Sequence, residues 1–327
     1  MQIEKRLVDG SELTSGKKGF FPRLIARGLM SVFGLNRANK VYNATYYEED
    51  YTGALLSETG ISYVIGDGDL ANIPSEGPVI VICNHPTGAM DGIVLIDLLS
   101  KARPDTKFMG NFLLNRIEPL RKYIFAVDPF DSRSRVKNLK GVRDSLQHLK
   151  DGGLLAIFPA GEVATWQDGF KGIRDKDWDP AVIKFIRRAG VPVLPMYIQG
   201  RNSTLFRLAG KLHPALRTAL LPHELFNKRG TCVRVVAGSL IQGRRVDELP
   251  GDQYANYMRA SVDYLDGSRG DKKEVAGADV AASMDGIIER PLLEKLHGEM
   301  ASVREEYLLF ELGGQSLYCA PPDAIPN

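Results

Sequence analysis

Between about residues 60 and 265 the chain alternates short apolar runs with stretches of helical periodicity. The runs 61–65, 79–83, 123–127, 154–158, 193–198 and 232–237 read as strands. Several are apolar throughout, the pattern of strands covered on both faces. Helices are predicted over about 91–101, 134–150, 180–189 and 251–265. The first opens at Asp91-Gly92. The third has Asp179 as its N-cap and Pro180 in its first turn, where a missing N–H costs nothing. Such alternation predicts an α/β domain with a mixed, mostly parallel sheet flanked by helices. The stretch 190–200, GVPVLPMYIQG, carries Pro192 and Pro195. Two residues without a backbone donor predict an irregular strand or one at the sheet edge.

The flanks have a different character. Residues 1–16 are polar and read as poorly ordered. Residues 17–40 place Phe20, Phe21, Leu24, Ile25, Leu29, Val32 and Phe33 at helical spacing. Around them stand Lys17, Lys18, Arg23, Arg27, Arg37 and Lys40, with no acidic residue. This N-terminal amphipathic helical element suits an anionic membrane surface, and equally suits packing on its own domain. The stretch 204–221 allows the same two readings, with Leu205, Phe206, Leu208, Leu212 and Leu220 among Arg207, Lys211 and Arg217. After about residue 266 a polar Gly/Ala/Asp-rich linker leads to a charged helical stretch over about 289–310 and the end GGQSLYCAPPDAIPN, which has no evident partner. The expected division is a basic membrane-docking segment over 1–40, a catalytic domain over 41–265, and a linker and tail over 266–327.

Composition narrows the function classes. The 327 residues are 44% hydrophobic and 25% charged, an ordinary globular balance with enough chain for a large core. A formal net charge of +2 gives no reason to expect nucleic acid. Cys83, Cys232 and Cys319 are sparse and form no CxxC pair, which fits a reducing compartment. No apolar run approaches the roughly 20 residues that span a bilayer. The start, MQIEKRLVDGSELTSG, lacks the apolar core of a signal peptide. The expected place is the cytoplasm, in solution or on a membrane surface.

The segment with most chemistry is 79–91, VIVICNHPTGAMD. A buried strand delivers Asn84 and His85 to its carboxyl end, where open α/β sheets keep their ligand crevices. Pro86 and Gly88 force a turn, and Asp91 starts a helix. A histidine oriented by a carboxylate is what a general base needs; the plainer reading is a loop histidine beside a helix-capping aspartate. A second strand, in LLAIFPAGEVA over 154–164, runs into Pro159, Gly161 and Glu162. No GxSxG elbow, HExxH helix or P-loop is present. Cys83 lies two residues before His85, so a Cys–His acyl-enzyme stands as an alternative to a buried cysteine.

The blocks NHPTGAMD, FPAGEVA and VPVLPM, in this order, resemble the NHxxxxD, FPEGTRS and VPxxPV blocks of the glycerolipid acyltransferases, the lysophosphatidic-acid acyltransferase or PlsC type. Phe170-Lys171-Gly172 also matches, and the resemblance covers about 60–240. The resemblance implies a glycerol-3-phosphate acyltransferase-like fold. There are departures. Five residues separate His85 from Asp91 where the family has four. Glu162 follows its glycine, and no arginine follows it. VDPFDSRSR stands where the family often has an arginine after the strand, with Arg133 and Arg135 nearest. These variants are similar to the hemolysin-like branch, whose better-understood members acylate lyso-ornithine or other aminolipids.

The resemblance implies direct acyl transfer. His85 deprotonates the acceptor, Asp91 orients it, and the acceptor attacks the thioester of an acyl carrier protein or CoA. Turns around Pro86–Gly88 or Pro159–Gly161 hold the oxyanion. Asn84, Gly88, Pro159 and Gly161 shape the substrate site. Lys171, Arg133 and Arg135 meet phosphates, and Glu162 meets the acceptor. No metal or bound cofactor is required. The partners are then the thioester carrier, a lyso-lipid and the cytoplasmic face of the inner membrane, with the protein peripheral. A lyso-aminolipid acceptor is expected over lysophosphatidic acid, since the fixed arginines that suit a phosphomonoester are missing and an acidic residue replaces one. Alternatives are an enzyme forming phosphatidic acid and an inactive lipid-binding protein of the same fold. The C-terminal stretch also resembles the entry to an ornithine N-acyltransferase domain, as in bifunctional relatives.

Overall fold

A computed structural model of the chain describes residues 5, 7, 8, 27–127, 135–166, 173–212, 214–242, 246, 248–266, 308–312 and 315–319. After helical residues 27–32 come α1 (Leu35–Thr45), α2 (Tyr51–Thr59), β1 (Ser62–Ile65) and the short α3 (Asp67–Ala71). β2 (Val79–Cys83), α4 (Ala89–Ala102), β3 (Lys107–Asn111), two 3-10 turns, β4 (Ile124–Val127), α5 (Arg135–Lys150) and β5 (Leu154–Ile157) follow. A small ladder, β6 (Thr165–Trp166) with β7 (Ile173–Arg174), precedes α6 (Pro180–Ala189) and β8 (Val193–Ile198). Then come α7 (Thr204–Leu212), α8 (Pro214–Ala219), α9 (Leu221–Asn227), β9 (Cys232–Ala237) and α10 (Gly251–Asp263).

Seven strands form one sheet in the order β1-β9-β8-β2-β5-β3-β4. All neighbours are parallel except β8 and β9. The sheet is thus mixed and mostly parallel, as the alternating pattern predicts. β2 is buried along its whole length at the centre. Val79, Val81 and Cys83 face a core that includes Tyr42, Leu55 and Val94 of α1, α2 and α4. Ile80 and Ile82 face a second core with Ile183 and Ile186 of α6 and Tyr254 and Met258 of α10. Each such aliphatic side chain contributes about 1.5–3 kcal/mol by burial, so a continuous apolar run is what a strand between two helical layers requires.

Several expectations are corrected. β8 is interior, between β2 and β9, in spite of Pro195. The reason is where the β9 ladder ends: Met196 pairs with Ala237 and Val193 bridges to Ile241, one residue more on the β9 side, so the missing Pro195 donor falls where the regular ladder stops. The Pro195 carbonyl still accepts the Gly238 N–H at 2.8 Å. A β-carbon at Gly238 would stand 3.0 Å from the proline ring, so glycine there admits the close approach. β3 was missed as a strand, and α1 and α2 as helices. α4 begins at Ala89 and not at Asp91.

The N-terminal residues described are anchored: Asn39 accepts the N–H groups of Leu7 and Val8 and donates to Val8, while Asn43 accepts from Lys5. Of the stretch 17–40, residues 17–26 lie outside the described residues. Met30 and Leu35 are buried, and Val32 is exposed. Near the end, β10 (Leu308–Leu312) pairs antiparallel with β11 (Gln315–Cys319), so the tail does have a partner, and residues 308–310 are strand instead of helix.

Candidate active site

Parallel pairing brings the three sequence blocks to one place. β2, β5 and β8 run side by side in the same direction, so their carboxyl ends share an edge. There Asn84 exchanges two hydrogen bonds with the Ile198 backbone, donating at 2.9 Å and accepting at 2.7 Å. This fastens the end of β2 to the end of β8. The next residue, His85, stacks on Phe158 after β5, with ring centroids 4.1 Å apart and 24° between planes. Its carbonyl accepts the Ala164 N–H at 2.8 Å.

Asp91 sits in the first turn of α4, fully buried, and points back toward the strand end. One oxygen accepts the N–H groups of Thr87 at 2.7 Å and Gly88 at 2.8 Å; the other accepts the Thr87 hydroxyl. His85 Nδ1 stands 3.2 Å from the first of these oxygens. That is ion-pair distance, yet Nδ1 makes no aligned hydrogen bond. The same oxygen already receives two backbone donors, and catalytic hydrogen bonds commonly straighten only when substrate binds. The contact survives the five-residue spacing because Gly88 takes φ of 89° at the N-cap and turns the chain back. A β-carbon there would also meet Leu221 at 2.7 Å and Val163 at 2.9 Å.

A residue absent from the sequence reading completes the support. Asp175, buried, accepts the His85 N–H with both oxygens, at 3.1 and 3.2 Å. Burial pushes its carboxyl up to about 7, against the His85 and Arg259 charges, with Asp263 adding to the rise. Arg259 of α10 donates to the Asp175 carbonyl at 2.7 Å and to Asp177 at 2.9 Å. Nothing in DKDWD marks which aspartate turns inward. Asn202 was missed as well. It donates to the Thr87 carbonyl at 3.2 Å and receives Lys228, which also reaches buried Glu224 at 3.1 Å.

Cys83 lies wholly in the core. Burial, with Asp91 and Asp175 nearby, pushes its thiol well up, which opposes the thiolate an acyl-enzyme needs. The N–H groups of Thr87 and Gly88 are engaged by Asp91, and that of Gly161 by the Phe158 carbonyl at 2.9 Å. They serve an oxyanion only if these bonds loosen. Pro159 closes the same turn, its carbonyl accepting from Asp179.

Glu162 is not a free carboxylate. Lys176 meets it at 2.8 Å and Arg217 of α8 at 2.6 Å. Burial raises its pKa, but the two cations more than offset this and hold it below the usual glutamate range. The group carries one positive charge in excess, which reverses the expected local sign. Arg133 and Lys171 lie outside the described residues, as does the side chain of Arg135 at the start of α5. Among the described residues no His/Cys/Asp/Glu group is arranged to hold a metal, and no helix is long and apolar enough to cross a membrane.

Residues 34–268 match the model of a family described as acyltransferase. A lyso-glycine lipid O-acyltransferase of Bacteroides thetaiotaomicron is 26% identical over 205 residues, covering 59% of this chain and 72% of its own. One from Phocaeicola vulgatus is 28% identical over 140 residues, covering 42% of this chain and 47% of its own, so less than half of that relative is spanned. The crystal structure of the 1-acyl-sn-glycerophosphate acyltransferase PlsC from Thermotoga maritima aligns at 15% identity with a TM-score of 0.42, over 76% of this chain and 95% of that one.

Proposed function

Because the chain belongs to the acyltransferase family, we propose that His85 is its general base and that the acyl group goes to the hydroxyl of a lyso-aminolipid. The observation that carries this is the 3.2 Å approach of His85 Nδ1 to a buried Asp91. With Nδ1 turned to the carboxylate, Nε2 is left for the acceptor hydroxyl. Nε2 takes the proton as the oxygen attacks the thioester carbonyl. The C–S bond then breaks, and the leaving thiolate recovers the proton from the imidazolium. Asp91 steadies that cation, and its own hydrogen bonds from Thr87 and Gly88 keep it in place. The donor is a thioester of CoA or an acyl carrier protein.

Two relatives being lyso-glycine lipid O-acyltransferases supports an aminolipid acceptor. The geometry supports it differently from the sequence argument. A glycine head group joined through nitrogen presents a single carboxylate. The excess single charge of Lys176 and Arg217 over Glu162 suits that better than a phosphomonoester carrying nearly two charges. An inactive lipid binder drew its support from the longer His–Asp spacing, which leaves the pair in reach.

The test is a competition. The full chain would receive one acyl-thioester donor and equal amounts of lyso-glycine lipid, lyso-ornithine lipid and lysophosphatidic acid. Faster acylation of either aminolipid is expected. Faster formation of phosphatidic acid would overturn the acceptor reading, and no product from any acceptor would overturn the enzyme reading.

A further inference from the structure

The turn between His85 and Asp91 is held from two sides. Its peptide units, Pro86–Thr87 and Thr87–Gly88, each donate an N–H to the Asp91 carboxylate, at 2.7 and 2.8 Å. The carbonyls of the same two units meet Asn202. Its amide nitrogen stands 3.2 Å from the Thr87 oxygen and 3.5 Å from that of Pro86. Asn202 and Thr87 are both buried. A β-carbon on Gly200 would come within 2.8 Å of the Thr87 methyl group, so this loop lies directly on the turn.

Lys228 decides which end of the Asn202 amide faces the turn. Its ammonium stands 3.4 Å from Asn202 Oδ1. An ammonium only donates and a carbonyl only accepts, so Oδ1 meets the lysine and the NH2 group meets the turn. Lys228 is held in its place by Glu224 of α9 at 3.1 Å. Glu224 also accepts the N–H of Ser203 at 2.8 Å and its hydroxyl at 2.5 Å, which fixes the residue next to Asn202. Glu224 and Lys228 are buried as well.

We propose that Asn202 is a positioning residue for acyl transfer: it sets the two peptide planes of the turn so that their N–H groups keep Asp91 aimed at His85. A hydrogen bond on a peptide carbonyl also polarises the N–H of the same unit, which strengthens its bond to the carboxylate. Without the Asn202 donor, two buried carbonyls lose a partner and the planes are free to rotate. A merely structural role, satisfying those carbonyls, would show in stability alone. The proposal rests on the reading of His85 as base and Asp91 as its orienting carboxylate.

The test is Asn202→Asp in the full chain. The variant has nearly the same shape and still accepts from Lys228, but it turns an oxygen toward the carbonyls. It is expected to lower kcat about 10–100-fold with KM for donor and acceptor unchanged. Amide exchange at Thr87 and Gly88 should quicken about tenfold. Glu224→Gln combined with Lys228→Met removes the orienting ammonium without stranding a buried charge. That protein should show a smaller fall in kcat, again at constant KM. The proposal is overturned if folded Asn202→Asp keeps wild-type kcat, if only KM moves, or if Thr87 and Gly88 exchange as in wild type. Should Asn202→Asp not fold, wild-type kcat and exchange in the double variant overturn it. His85→Ala, assayed in parallel, separates the two readings. Activity kept there sinks the base; activity lost there but kept in Asn202→Asp sinks only the positioning role.

Discussion

Asp175 grips the backbone N–H of His85 with both carboxylate oxygens, at 3.1 and 3.2 Å, from 90 residues further along the chain. The catalytic candidate is thereby fixed at its main chain by one carboxylate and approached at its ring by another, Asp91. The two carboxylates differ in setting: Asp91 receives three hydrogen bonds from its own turn, whereas Asp175 faces His85, Arg259 and Asp263.

Asp175 should make stability depend on pH. Its folded pKa of about 7 lies above the usual aspartate value, so the folded state holds the extra proton. The stabilisation is fully present below about pH 4 and is lost as pH rises through about 7, with an upper size on the order of 4 kcal/mol. Asp175→Asn keeps an acceptor for the His85 N–H and removes the ionisation. Urea melts at pH 5 and 8 should show a smaller fall for the variant. An equal fall in both proteins would contradict the assignment.

His85→Ala should lower turnover by about 10²–10⁴ with the fold preserved. Asp91→Asn should reduce kcat as well, and also lower Tm, because the buried amide cannot accept from Thr87 and Gly88 as a carboxylate does. Near-normal kcat in a folded His85→Ala protein would remove the base.

Gly88→Ala tests the turn that lets the longer spacing work. The positive φ and the contacts with Leu221 and Val163 should cost about 1–3 kcal/mol and displace Asp91 from His85. Unchanged thermal stability together with unchanged kcat would show that the turn tolerates a side chain.

Lys176, Arg217 and Glu162 make opposite predictions for an anionic acceptor. Arg217→Ala should raise KM for the acceptor, and Glu162→Gln should lower it by releasing the two cations. Little change in kcat is expected from either. Parallel shifts in KM from both substitutions would show that the cluster is structural.

The strands were readable where burial is two-sided, because β2, β5 and β8 must then be apolar throughout. β3 was not, since Lys107, Gly110 and Asn111 in KFMGN break the apolar run. α1, LNRANKVYNAT, shows only its buried Leu35, Val41 and Tyr42 among polar residues, too thin a stripe to stand out. His85 and Asp91 were legible because strand, turn and helix hold them close in sequence. Asp175, Asn202 and the Lys176–Arg217 pair were not, because their relation to His85 and Glu162 exists only once distant loops gather at one sheet edge. The free carboxylate expected at Glu162 failed for the same reason: its partners lie 14 and 55 residues away.

Pro195 has a further consequence for how the sheet assembles. Its missing donor falls where the regular ladder with β9 ends at Ala237 and one extra residue enters before Ile241. Sliding β9 by one residue would turn every side chain of β9 to the opposite face. Gly238 reinforces the choice, since a β-carbon there would stand 3.0 Å from the proline ring and force it to give way. The proline thus acts as a key cut for one lock. It secures the junction where strand direction reverses, and with it the position of Ile198, to which Asn84 is tied.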